Sequence, residues 1–94
     1  MIRVLIERHI AKTLETNYEY TAKKILQAAV QAPGFLSGES LRNANEPNYR
    51  VIWSTWRSVQ DWQSWQTSDE RKALMAELIP MMDREEKVTI LEHS

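Results

Sequence analysis

The sequence predicts one α+β domain of order β-α-β-β-α-β, and three observations carry the prediction. Residues 2–10 alternate in polarity with the period of a strand. Residues 18–29 repeat apolar side chains at helical spacing. Between two strand-like runs, Asn43-Ala-Asn-Glu-Pro-Asn48 concentrates turn formers.

Taken in order, the first strand places Ile2, Val4, Ile6 and Ile10 on one face, with Arg8 interrupting it. Arg3, Leu5, Glu7 and His9 form the other, mixed face. Thr13 or Thr16 opens a helix, and Thr16 with Glu19 has the spacing of a capping box. Its apolar stripe is Tyr18, Ala22, Ile25, Leu26 and Ala29, with Glu19 and Lys23 spaced as an i, i+4 ion pair. Pro33-Gly34 ends it. Phe35 to Arg42 reads as the second strand, where Gly38 suggests a bulge or a close approach. Tyr49 to Trp56, rich in β-branched and aromatic residues, is the third strand and forms a hairpin with the second.

The stretch Ser54 to Trp65 then turns a strand into a short helix over 59–66. Ser58 can cap it, with Asp61 near its positive end. Trp62 and Trp65 share one helix face, whereas Trp53 and Trp56 point to opposite faces of the sheet. Thr67-Ser-Asp-Glu70 starts a further helix whose inner face is Ala73, Leu74, Leu78 and Met81, broken by Pro80. Glu85 to Glu92 closes the chain as a fourth strand, Val88 and Ile90 on one face, Thr89 and Leu91 on the other. This order is the ferredoxin-like split βαβ arrangement: a four-stranded antiparallel sheet with helices on one face. The other face also carries apolar side chains, so a second copy is its expected cover and a homodimer is expected.

Composition narrows function. Ninety-four residues make one domain, 1–94, that buries about 60–70% of its unfolded surface. With no cysteine there is neither a disulfide framework nor a thiolate metal site or nucleophile. A net charge of −1 argues against nucleic acid as a partner. Charge arrives too early for a signal peptide, and no apolar run approaches the ~18–20 residues of a membrane span. A soluble, cytoplasmic protein with no membrane partner is expected. No Gly-rich phosphate loop, no Ser-His-acid set and no metal-ligand spacing emerges, so no cofactor is expected.

Three stretches carry a family resemblance: Ala32-Pro-Gly-Phe35, Ser37-Gly-Glu-Ser-Leu-Arg42, and Ser54-Thr-Trp-Arg-Ser58 leading to Asp61, Trp62 and Trp65. With the element order, they make the chain resemble the antibiotic biosynthesis monooxygenase family of dimeric α/β-barrel proteins. The resemblance implies a dimer whose two sheets face each other, with a pocket between each sheet and its helices or partner. It implies an activity among cofactor-independent oxygenation of phenolic or quinol-like aromatics, haem degradation and small-molecule isomerisation. The Asn, Trp and His of the haem-degrading branch would fall on Glu7, Trp65 and Met75. Only the Trp matches, so haem degradation is not expected.

The catalytic candidates are His9 and Glu7, on one strand face about 6–7 Å apart along the chain. An imidazole with an ordinary pKa of ~6.5 suits proton abstraction near neutrality. The plainer alternative for His9 is an interface or strand-end histidine bonded to a carboxylate. For Glu7 it is an ion pair with Arg3, Arg42, Arg50 or Arg57. The candidate ligand contacts are Trp65, by the resemblance, with Trp62 and Leu5. The expected function is monooxygenation, without a cofactor, of a small aromatic or quinol-type compound. A ligand-binding dimer without turnover and a non-oxidative isomerase of a small carbonyl compound are the alternatives.

Overall fold

A computed structural model describes residues 1–94. Strand β1 (Ile2–His9) leads to helix α1 (Glu15–Val30), the hairpin β2 (Phe35–Arg42) and β3 (Tyr49–Trp56), helices α2 (Val59–Gln66) and α3 (Asp69–Leu78), a 3₁₀ turn (Ile79–Met81) and β4 (Lys87–Glu92). The strands lie in the order β2-β3-β1-β4, every neighbour antiparallel. This is the predicted ferredoxin-like α+β fold, with two helices in the second crossover. No helix is long and apolar enough to cross a membrane.

The alternation in β1 translates directly into burial. Ile2, Val4, Ile6 and Arg8 are buried, and the residues between them are half-exposed. Ile52, Ser54 and Trp56 of β3 share the buried face. Against it pack Tyr18, Ala22, Ile25 and Ala29 of α1, Trp62 and Trp65 of α2, and Met75 and Leu78 of α3. Trp56 lies edge-on to Phe35 at 5.3 Å and to Trp62 at 5.6 Å between ring centres. Such pairs add about 0.5–1.5 kcal/mol each beyond the area they bury.

Several local expectations give way to tertiary contacts. Helix α1 begins at Glu15 behind Leu14, without a side-chain cap, so the Thr16–Glu19 capping box does not form. Glu19 instead accepts a hydrogen bond from Arg50 at 3.0 Å, and the Glu19–Lys23 pair is absent. In α3 the inward residues are Arg71, Met75 and Leu78 with Leu74 half-buried, while Ala73 is exposed. The helix is rotated from its apolar reading because Arg71 has a buried partner. The sheet register shifts between Phe35 and Ser37, ahead of Gly38. Gly38 marks a close approach: a Cβ there would stand 3.0 Å from the Phe35 ring. Strand β4 starts at Lys87, because Glu86 turns into the interior.

The turn at the tryptophan-rich stretch forms the strand-to-helix junction that the sequence predicts. Ser58 Oγ accepts the Asp61 backbone N–H at 3.1 Å, capping α2. Arg57 donates twice to Asp61, at 2.8 and 3.1 Å, and holds that carboxyl below its usual range; the Ser58 hydroxyl adds to this. Gly34, at φ +86°, brings its backbone against this carboxylate.

Candidate active site

Between the sheet and the helices lies a cleft walled by Phe35, Trp56, Trp62 and Trp65, with Ile6, Ile25 and Ile52. Its free volume is ≈ 30 Å³, room for a water or two. Leu26 and Phe35 in its lining are only half-buried. Trp65 lines this cleft and also an outer groove of ≈ 370 Å³ bordered by Ala28, Ala32, Asp61 and Ser64.

The two charged residues of the lining belong to one ion-pair cluster. Arg8 interrupts the apolar face of β1 and is 2% exposed; Arg71 of α3 is 6% exposed. Glu86, from the turn before β4, receives both: Arg8 Nε at 2.9 Å and Arg71 Nη2 at 3.1 Å. Arg8 also donates to the Tyr18 hydroxyl at 3.2 Å. Burial alone would raise the Glu86 carboxyl, but the two guanidiniums overcome it and hold it below the usual carboxylate range. For Arg71, burial lowers the pKa most, Glu86 pulls it back, and Arg8 repels it. Two cations share one anion, so the cluster keeps one uncompensated positive charge. Beside it, Trp62 Nε1 is the one buried side-chain nitrogen or oxygen with no hydrogen-bond partner.

The five residues expected at the site do not converge. Trp62 and Trp65 line the cleft under the helices. Leu5, Glu7 and His9 sit on the opposite face of the sheet. There the Tyr49 hydroxyl donates a hydrogen bond to Glu7, and the His9 ring lies edge-on to Tyr49 at 4.9 Å. The Glu7 bond, then burial and the Glu7 charge, push the Tyr49 hydroxyl above its ordinary pKa. Glu7 pairs with none of the four arginines considered for it. Arg8, Arg71 and Glu86 escaped the sequence reading. Only Arg8 left a signal there, as a charge breaking an apolar alternation. A porphyrin does not fit the cleft: Met75, at the axial-ligand position of the haem-degrading branch, is buried with its sulfur 3.8 Å from Arg8 Nη2.

Known structures share this architecture. A conserved protein from Methanosarcina mazei superposes with a TM-score of 0.92 at 15% identity, over 99% of this chain and 92% of its own. A structure described as an antibiotic biosynthesis monooxygenase gives 0.91 at 12% identity, over 100% and 99%. A variant of SnoaB, a cofactor-independent oxygenase from Streptomyces nogalater, gives 0.88 at 11% identity, over 98% and 91%. At these identities the likeness is one of fold. No curated protein matches the sequence. The family model for antibiotic biosynthesis monooxygenase matches residues 1–77, and the chain belongs to that family.

Proposed function

We propose that the protein is a cofactor-independent monooxygenase of a small, electron-rich phenol or quinol, working as a homodimer. The observation that carries this reading is the indole-walled cleft with Arg8 and Arg71 in its lining. A deprotonated phenol or quinol can itself pass an electron to dioxygen. The radical pair then joins at a ring carbon that carries hydrogen; as that carbon loses its proton the O–O bond breaks, leaving a quinone carbonyl on the ring and releasing the other oxygen as water. The protein has to hold the ring flat, keep bulk water away and stabilise negative charge. Phe35, Trp56, Trp62 and Trp65 serve the first two needs, and Arg8 with Arg71 the third. The cofactor-independent oxygenase SnoaB shares the fold, which supports the assignment.

For Leu5, Glu7 and His9 we propose the interface role. Half-buried Leu5, Val51 and Trp53, with exposed Leu41 and Leu91, make a sheet face that a second copy would cover.

Oxygen uptake by the purified protein against anthrols, hydroquinones and naphthols tests the activity. Uptake above autoxidation, reduced at least about tenfold in Trp65→Ala, is the expected result. A second reading, a binding dimer without turnover, is favoured by the cleft's lining, which includes no His, Asp or Glu to take a proton. Saturable binding of these aromatics without oxygen uptake would select it.

A further inference from the structure

We infer that the trough between α1 and the edge strand β2 is a subsite for an anionic tail, where Arg42 and Arg50 hold a carboxylate that the ligand carries roughly 10 Å from its ring. The inference rests on the cleft as the seat of the ring, as proposed above. It adds the class of substrate: an aromatic acid whose carboxylate ends a flexible chain.

The trough exists because α1 does not reach the edge of the sheet. In the ladder, Gly38, Ser40 and Arg42 of β2 stand opposite Ser54, Ile52 and Arg50 of β3, and opposed residues share a face. The three β3 residues are buried, whereas their β2 neighbours are exposed. This uncovered strip begins beside the cleft, since Ala22 and Leu26 line both. There Glu19, Lys23 and Ser40 border a hollow of ≈ 150 Å³. Further along, Glu19 and Ser40 border a second hollow, of ≈ 270 Å³, together with Arg42 and Arg50. Leu26 and Glu19 are seven positions apart on α1, which is roughly 10 Å of helix.

The far end offers cations with donors to spare. Arg50 donates Nε to the Pro47 carbonyl at 2.6 Å and Nη1 to Glu19 at 3.0 Å, while its Nη2 bonds nothing in the protein. Trp62 Nε1 is the only fully buried side-chain nitrogen or oxygen without a partner, so Arg50 Nη2 keeps accessible surface. The hollow is the space that Arg50 borders. Arg42 is exposed and makes no ion pair, and neither does Lys23. Against these three cations the lining sets one carboxylate, Glu19, which is 54% exposed. Solvent screens its pairing with Arg50, so a ligand carboxylate can compete for that guanidinium or settle beside it. The planar fork of arginine matches two carboxylate oxygens, which an amide or an alcohol cannot reproduce.

The probe is naphthyloctanoate, an aromatic ring on a chain of matching reach. It carries no hydroxyl and cannot reduce dioxygen, so binding is read apart from turnover. In calorimetry on the intact protein, the acid should bind at least about tenfold more tightly than its primary amide, and added salt should shrink that margin. Naphthylacetate, whose carboxylate is held next to the ring, should show no advantage over its own amide. Arg42→Gln should remove most of the octanoate's advantage and leave the amide's affinity unchanged. Glu19→Gln removes the competing carboxylate and should tighten the acid about two- to fivefold. Circular dichroism checks that both variants are folded. Acid and amide bound alike, no binding of either, or a margin that survives in folded Arg42→Gln overturns the inference. Equal binding of acid and amide, weakened in both by Trp65→Ala, would sink the tail subsite and spare the aromatic cleft. An acid margin that is lost in Arg42→Gln and indifferent to Trp65→Ala would uphold the anion site and take the ring out of the cleft.

Discussion

The guanidinium of Arg71 lies 5.5 Å from the centre of the Trp62 indole, whose nitrogen has no hydrogen-bond partner. Replacing Trp62 tests the packing of that ring. Trp62→Ala should cost about 3–5 kcal/mol through lost apolar contact and the cavity left behind. Trp62→Phe keeps an aromatic ring in the same place and should cost less by at least about 1 kcal/mol. Urea unfolding of both variants measures the gap. Equal costs would mean that the indole is not packed in the core in solution.

Glu86 is the hinge of the buried charge cluster. Glu86→Gln leaves Arg8 and Arg71 facing each other without an anion and should destabilise the fold by about 3–5 kcal/mol. The pH dependence follows from the depressed carboxyl. Its contribution is fully present above the unfolded glutamate pKa of about 4.3 and is lost as pH falls through the lower folded value. Wild-type protein should carry this acid limb in its stability curve, and the glutamine variant should lack it.

Tyr49 makes the opposite limb. Its hydroxyl is raised by the bond to Glu7, so the stabilisation is present below about pH 10 and lost as pH rises through the folded value. In an absorbance titration of the Tyr49 phenol, Glu7→Gln should bring the midpoint down towards 10. An unchanged midpoint would place that hydrogen bond outside the solution structure.

Gly34 answers two constraints at once. Its φ of +86° disfavours any side chain by about 1–2 kcal/mol, and a Cβ would stand 2.4 Å from the Asp61 carboxylate. Gly34→Ala should cost more than about 2 kcal/mol. Combined with Asp61→Gly, which removes the carboxylate and also the Asp61 Cβ at 2.5 Å, the clash with residue 61 disappears, and the double variant should be more stable than the two losses added, by at least about 0.5 kcal/mol.

The proposed interface has its own test. Light scattering after size exclusion should give about twice the 11.0 kDa chain mass for the native sequence. Leu5→Arg, on the apolar sheet face and opposite Trp53 in the ladder, should give the single-chain mass with unchanged helix content. A native monomer at micromolar concentration would refute the dimer.

Local patterns determined most of the architecture. Polarity alternation located β1 and its two faces, Pro33-Gly34 ended α1, and the Asn-rich turn joined β2 to β3, because each depends on residues a few positions apart. The same locality put Trp53 and Trp56 on opposite sides of the sheet and Trp62 with Trp65 on one helix face. What only the tertiary structure decided was which charges meet. Arg8 and Glu86 are 78 positions apart and become neighbours because β4 returns beside β1. Arg71 turns inward to the same carboxylate, rotating α3 away from its apolar reading. Strand alternation puts Glu7 and His9 on the face that carries Trp53, away from Trp56, Trp62 and Trp65, but only the ladder brings Tyr49 to them from the neighbouring strand. A charged side chain carries no local record of its partner; its burial is decided by the one long-range contact that compensates it.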